Sequence, residues 1–254
     1  MKKQIIGIIF GVLMSSVSAQ RQSTDNLNAW FMYFGDHKVS DKWGVHLEAQ
    51  FRRNNFFMDD QQLLLRTGIN YHLSPQLMLT AGYCFVETYP YGGFPVKLTF
   101  PEHRLWEQVQ IKTPLNAVEW VSRFRLEQRW SQNPIYNAGA YELGDATYTN
   151  RFRLLNRFSI PLKGKTIGDK SFYVSAYDEF FINFGEHVGI NIFDQNRAYL
   201  ALGYKIPKIG RLEIGYLNQL ILKSDGIKEE FNHTFQVGLS STIDFKKKKN
   251  DSKI

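Results

Sequence analysis

The stretch Trp43-Gly44-Val45-His46-Leu47-Glu48-Ala49-Gln50-Phe51-Arg52-Arg53 sorts with a period of two. Trp43, Val45, Leu47, Ala49 and Phe51 share one face, and Gly44, His46, Glu48, Gln50 and Arg52 share the other. A helix would scatter these residues around its axis; a strand separates them. The same alternation recurs to the end of the chain. Leu63, Leu65, Thr67, Ile69 and Tyr71 oppose Arg66, Gly68, Asn70 and His72. Phe124, Leu126 and Trp130 oppose Arg123, Arg125, Glu127 and Arg129. These runs extend over about 10–14 residues. Ordinary strands average about 5–6, whereas a tilted strand crossing a bilayer needs about 9–11.

The connections alternate in size. Short ones fall at 39–42, 73–76, 114–117 and 207–210, with a somewhat longer one at 163–170. Longer ones fall at 54–60, 89–101, 131–147, 185–195 and 224–229. Short turns on one rim and long loops on the other are the outer-membrane pattern, with the short turns in the periplasm. The reading is all-β: a single antiparallel transmembrane β-barrel. Strands are predicted at 26–36, 43–53, 61–72, 77–88, 102–113, 118–130, 148–161, 171–183, 196–206, 211–223 and 230–245. That makes eleven, and single-chain bacterial barrels carry even numbers. We therefore expect about twelve strands, with ten as the next choice. The twelfth would hide in 89–101 or 131–147; a count of ten would follow if the first segment were not a full ladder member.

Both ends of the chain carry signals. Residues 1–19 read as a secretory signal peptide: Lys2-Lys3, an apolar core from Ile5 to Met14, and Val17-Ser18-Ala19 as a small-residue cleavage site. Past it, no apolar run approaches the ~18–20 residues of a spanning helix. The barrel is expected over 20–245, followed by a basic periplasmic tail over 246–254. The net charge of +7 is concentrated at these ends: Lys2 and Lys3 in the leader, and Lys246, Lys247, Lys248, Lys249 and Lys253 in the tail. The body is close to neutral, so no nucleic-acid partner is expected. A lone Cys84 excludes a disulfide scaffold and any Cys-based zinc cluster. No cofactor or metal is expected. Cys84, alternating with Gly82 and Thr80, reads as a small lumen filler.

The most unusual feature is a ladder of charge on one face of consecutive strands. It comprises Glu119, Arg123, Arg125, Glu127 and Arg129, then Arg151, Arg153 and Arg157. Glu48, Arg66, Glu179, Arg197 and Glu213 are placed on the same inner face. A charge facing lipid at the midplane would cost about 2–4 kcal/mol, so this face is expected to line the lumen. Arg and Glu could pair across a narrow barrel into a polar core, or a surplus of Arg could make an anion-attracting pore. Rings near the strand ends read as an aromatic girdle: Trp30, Trp43, Tyr71, Trp120, Trp130, Tyr148 and Tyr204.

The chain resembles a known family. Ala29-Trp30-Phe31, the Ser40-Asp41-Lys42-Trp43 turn, and the charged runs 119–129 and 150–157 carry the resemblance. So do Tyr177-Asp178-Glu179-Phe180 followed by Asn183, then Gln195-Asn196-Arg197, and Gly215-Tyr216. These are similar to the small barrels of gram-negative outer membranes grouped as domain of unknown function 2490. The resemblance implies an outer-membrane barrel and no reaction. The chain departs from a common barrel ending, because Phe245 is followed by the basic tail rather than closing the chain.

The functional expectation is an outer-membrane barrel that is not an enzyme. It would be a narrow channel for small solutes, or a structural and interaction subunit of an outer-membrane assembly. Its partners would be outer-membrane lipids and lipopolysaccharide, the barrel-assembly machinery during insertion, and other outer-membrane proteins. The alternative is a lipid hydrolase or deacylase, which needs a Ser within reach of a His base. His72-Leu73-Ser74 is the closest local match, and it also reads as turn chemistry; His233 lies beside Asn232 with no adjacent Ser.

Overall fold

A computed structural model describes residues 21–245; the leader and the basic tail lie outside the described residues. The elements are β1 (Gln22–Lys38), β2 (Trp43–Asn54), β3 (Asp59–His72), β4 (Leu77–Thr88), β5 (Phe100–Leu115) and β6 (Val118–Ser131). They continue with β7 (Pro134–Asn137), β8 (Ala140–Leu143), β9 (Thr147–Pro161), β10 (Phe172–Phe184), β11 (Phe193–Ile206), β12 (Gly210–Leu222) and β13 (Lys228–Ser241). Eleven of these close into one barrel in the order β1-β13-β12-β11-β10-β9-β6-β5-β4-β3-β2.

The expected count of twelve is thus corrected to eleven. The loop 131–147 does hold strand, but β7 and β8 form a separate hairpin, folded about Ala138 and Gly139 with positive φ, outside the wall. The first segment is a full ladder member, paired to β2 on one side and β13 on the other. Every neighbouring pair in the barrel is antiparallel except β1 with β13, which is parallel in register from Gln22↔Lys228 to Gly35↔Ser241. The reason is geometric. Directions alternate around an antiparallel wall, so an odd number of strands leaves the first and last running alike. Closure removes the free edges that an open sheet would expose.

The strands tilt steeply. One row of register partners starts at Glu119, near the beginning of β6, and runs through Ser159, Ser175, Ala201, Gly215, Gln236, Trp30, Arg52 and Gln62 to Thr88, the last residue of β4. It climbs from one rim to the other, as barrel closure with shear requires. Short turns at 39–42, 73–76, 116–117 and 207–209, with the longer 162–171, lie on one rim; 55–58, 89–99, 132–146, 185–192 and 223–227 lie on the other. Asn116 holds a left-handed φ of 54° in its turn, a conformation asparagine tolerates better than most residues.

Burial is inverted relative to a water-soluble fold. Leu47, Phe51, Leu65, Ile69, Leu105, Phe124, Phe158, Leu200 and Ile214 point outward and are exposed. Glu48, Arg66, Arg104, Arg125, Glu127, Arg151, Arg153 and Glu179 point inward and are buried. Two satellite clusters add apolar surface to the interior: Leu64, Cys84, Val86 and Trp106 on one side, and Trp30, Tyr199, Ala201 and Leu217 on the other. Room for the inward rings comes from missing side chains. A Cβ on Gly203 would lie 2.2 Å from Cζ of Tyr173, and one on Gly68 would lie 3.0 Å from Cζ2 of Trp106.

Candidate functional site

The inward faces of β2, β3, β5, β6, β9, β10 and β11 converge on a charge network centred on Glu127, which is fully buried. Its Oε2 accepts from Arg151 Nε at 3.0 Å and Nη2 at 2.6 Å. Its Oε1 accepts from Arg153 Nη1 at 2.7 Å and Arg66 Nη2 at 3.3 Å. Arg66 stands on β3, three strands from β6, so this bond crosses the lumen. Arg66 Nη1 also reaches Glu48 at 2.6 Å. Arg153 extends the chain to Glu179 through Nε at 3.0 Å and Nη2 at 2.8 Å, where Arg123 joins at 2.6 Å. Arg151 Nη1 reaches Asp194 at 2.9 Å. Nearer the long-loop rim, Glu102 receives Arg104 at 2.6 Å and Arg129 at 2.5 Å. Toward the short-turn rim, Arg157 donates to Glu213, which also accepts from the Tyr173 hydroxyl at 2.7 Å, and Arg211 meets Glu119 at 2.7 Å. Charge-assisted bonds of this kind are about twice as strong as neutral ones, and Glu127, Glu179 and Glu102 each hold more than one arginine.

Of the thirteen residues expected in the lumen, Glu48, Arg66, Arg125, Glu127, Arg151, Arg153, Glu179, Arg197 and Glu213 are buried; Arg123, Arg129 and Arg157 are half-buried and paired with buried carboxylates, and Glu119 is paired with Arg211. Glu119 sits at the rim and is the most exposed of the paired carboxylates among them. Sequence reasoning missed Glu102, Arg104, Asp194 and Arg211, and left Arg52 out of the network although it shares the face of Glu48. Their parity was readable: Glu102, Arg104, Trp106 and Gln108 share a face. The outward partners His103 and Glu107 are themselves polar and blur the contrast.

The aromatic residues separate into two groups. Trp43 packs on Tyr71 with ring centroids 4.7 Å apart, Trp120 on Phe158 at 5.8 Å, and Tyr204 on Phe172 at 4.7 Å, all outward beside the short-turn rim. Trp130 and Tyr148 pair at 5.1 Å beside the long-loop rim. Trp30 is a correction to the expected girdle. It is only 1% exposed and points into the lumen, where Nε1 donates to Gln61 at 2.6 Å. The physical reason is parity: Trp30 shares its face with Asn26, Asn28 and Asp36. The guanidinium groups of Arg52 and Arg197 lie 4.0 and 5.2 Å from its ring centroid.

The loop 89–99 folds over the mouth on the long-loop rim. Tyr91 donates to Glu230 at 3.2 Å, and the Gly93 amide donates to Asn26 at 3.2 Å. Burial, with the Glu230 carboxylate beside it, pushes the Tyr91 phenol up, so it remains a neutral donor. Gly92 has φ of 69°, and a Cβ there would lie 2.5 Å from Asn26 Oδ1, so glycine is required for the loop to seat. Beneath it is a cavity of about 220 Å³. A second cavity of about 180 Å³ lies below the centre of the network. Above, a vestibule of about 810 Å³ opens between the long loops.

The hydrolase alternative finds no serine–histidine pair among the described residues. The hydroxyls that bond histidine belong to tyrosines: Tyr33 on His37, Tyr83 on His103, and Tyr216 on His233. His233 is oriented by Asp25 at 3.1 Å, on the outer face. Ser74 accepts from the amides of Gln76 and Leu77, which is turn chemistry. Among the described residues no group of three or more His, Cys, Asp or Glu could hold a metal ion.

The family described as Protein of unknown function (DUF2490) matches residues 27–230, which runs from β1 into β13. The chain belongs to this family. A DUF2490 assignment brings no activity with it. An uncharacterised protein of Methylorubrum extorquens is 29% identical over 199 residues, covering 76% of this chain and 77% of that one. No solved structure matches. The DUF2490 match ends at residue 230, near the start of β13, so it leaves out most of the parallel seam with β1.

Proposed function

We propose that this protein is an outer-membrane barrel whose lumen is closed at rest, serving as a structural or interaction subunit of that membrane. The observation that carries the reading is the inversion of burial: a belt of outward aliphatic and aromatic side chains around a cylinder filled with paired arginines and glutamates. A water-soluble chain does not expose a continuous apolar belt of that extent. Acyl chains of outer-membrane lipid and lipopolysaccharide are the partners that satisfy it, and the paired rings at both rims suit the headgroup zones. Delivery of such a barrel needs the leader expected at residues 1–19 and the barrel-assembly machinery.

Closure of the lumen favours the structural reading over the channel. Bonds such as Arg66 to Glu127 and Arg211 to Glu119 join non-neighbouring strands across the interior. Two measurements test this. Cell fractionation with detergent extraction is expected to recover the protein with the outer membrane; recovery in soluble periplasm would reject the assignment. In planar bilayers the purified protein is expected to be silent. Discrete conductance steps would replace the structural reading with the narrow channel.

A further inference from the structure

We propose that the chamber under loop 89–99 is a binding site for a small oxyanion of the phosphate or sulfate class, held by Arg52 and Arg197. The inference rests on the closed-lumen reading and gives that lumen a resident ligand.

Three lumenal arginines have no carboxylate as a hydrogen-bond partner. The other lumenal guanidinium groups described above each have a carboxylate partner. Arg52, Arg125 and Arg197 hydrogen-bond instead to glutamine amides. Arg52 donates to Gln50 and Gln62, Arg125 to Gln108, and Arg197 to Gln195 at 3.2 Å. A glutamine satisfies a donor without neutralising a charge. Arg52 and Arg197 are nevertheless buried, 7% and 8% exposed, and Arg197 Nε has no hydrogen-bond partner. Both stand against one ring, that of Trp30, and Arg197 also lies over Phe181 at 4.6 Å. Arg52 sits in the repulsive field of Arg197, Arg104 and Arg153, opposed by Glu48, while Glu179 attracts Arg197 without hydrogen-bonding to it. Buried charge of one sign is costly unless something opposite joins it.

The cavity of about 220 Å³ lies where that partner would sit, lined by Arg52, Arg197, Arg104, Arg129, Arg151 and Lys223. Its acid, Glu102, is already engaged by Arg104 and Arg129. A tetrahedral oxyanion offers several acceptors at once, and planar guanidinium forks match them in pairs. The aromatic ring beneath fixes the forks in advance. Access is present: the vestibule shares Phe100, Arg129 and Lys223 with the chamber and adds Lys97 and Lys228. Charge of that sign at a mouth draws anions inward.

The test uses the full mature chain purified in detergent. Thermal unfolding is followed against inorganic phosphate and sulfate, with sodium chloride at matched ionic strength as the control. A saturable rise in Tm beyond the chloride control is expected. Arg52→Gln with Arg197→Gln should weaken the response at least tenfold in concentration. Because that variant removes packing as well, a second one supplies the missing acids. Gln50→Glu with Gln195→Glu should raise Tm without added anion and abolish the phosphate response. Line broadening of the phosphate ³¹P resonance should follow the same order. A response no larger than chloride's overturns the proposal, and so does an undiminished response in both variants. Conductance steps with an intact phosphate response would sink the closed-lumen reading and leave this one standing; silence with no response does the reverse.

Discussion

Arg151 reaches a single oxygen of Glu127 with two donors, Nε at 3.0 Å and Nη2 at 2.6 Å. The two residues lie on adjacent strands and are direct register partners, β6 to β9. The wall thus places its central acid and one of its bases side by side, and bonds from Arg66 and Arg153 complete the cage.

Glu127→Gln is expected to destabilise the barrel by about 3–5 kcal/mol, because it strips several buried guanidinium groups of their shared counter-charge. Urea unfolding of the purified protein, read by its electrophoretic heat-modifiability, would measure this. A double-mutant cycle with Arg153→Met should be strongly non-additive. A loss below ~1 kcal/mol would show that the network is solvated and that Glu127 is not its keystone.

Depth-dependent quenching should divide the tryptophans. In vesicles containing brominated lipid, Trp43, Trp120 and Trp130 face outward and should be quenched, whereas Trp30 and Trp106, each 1% exposed, should not. Single-tryptophan variants give the measurement. Equal quenching of Trp30 and Trp43 would contradict the inward placement of Trp30.

Gly203→Val should prevent assembly, since the Tyr173 ring occupies the space of any side chain there. The companion variant Tyr173→Ala should restore part of the folded yield by vacating that space, at the cost of the hydroxyl bond to Glu213. Failure of rescue would mean that Gly203 serves a different need.

The parallel seam can be captured covalently. Phe31→Cys with Val237→Cys, in a Cys84→Ser background, places two thiols on outward register partners. Oxidation within one chain is expected to yield a species of altered mobility. A control pair shifted to Phe31→Cys with His233→Cys should remain reduced.

Tyr91→Phe removes the donor to Glu230 and should loosen loop 89–99 without unfolding the wall. Hydrogen exchange in the loop is expected to rise several-fold while the strands keep their protection. Unchanged exchange would show that the Gly93–Asn26 contact alone holds the loop.

Much of this architecture is legible in the chain because apolar and polar residues alternate with a strict period of two. Each of the eleven predicted segments corresponds to a wall strand, and the parity of Arg123, Arg125 and Glu127 was enough to turn them inward. Trp30 was misplaced because nearness to a strand end was weighed above the polar residues sharing its face. Strand number was misjudged because the even-number rule for bacterial barrels was weighed above the eleven segments that alternation itself marks. The unpaired state of Arg52 and Arg197 depends on side chains brought together by tilt across the lumen, and no local pattern encodes that.

The odd wall has a consequence for what can be attached to it. Gln22 begins at the rim of long loops, and Ser241 ends at the rim of short turns. In the proposed membrane setting, its first and last staves would open into different compartments. A reporter fused ahead of β1 and one fused behind β13 would therefore answer to different reagents, and no folding of the wall alone could bring them to the same side.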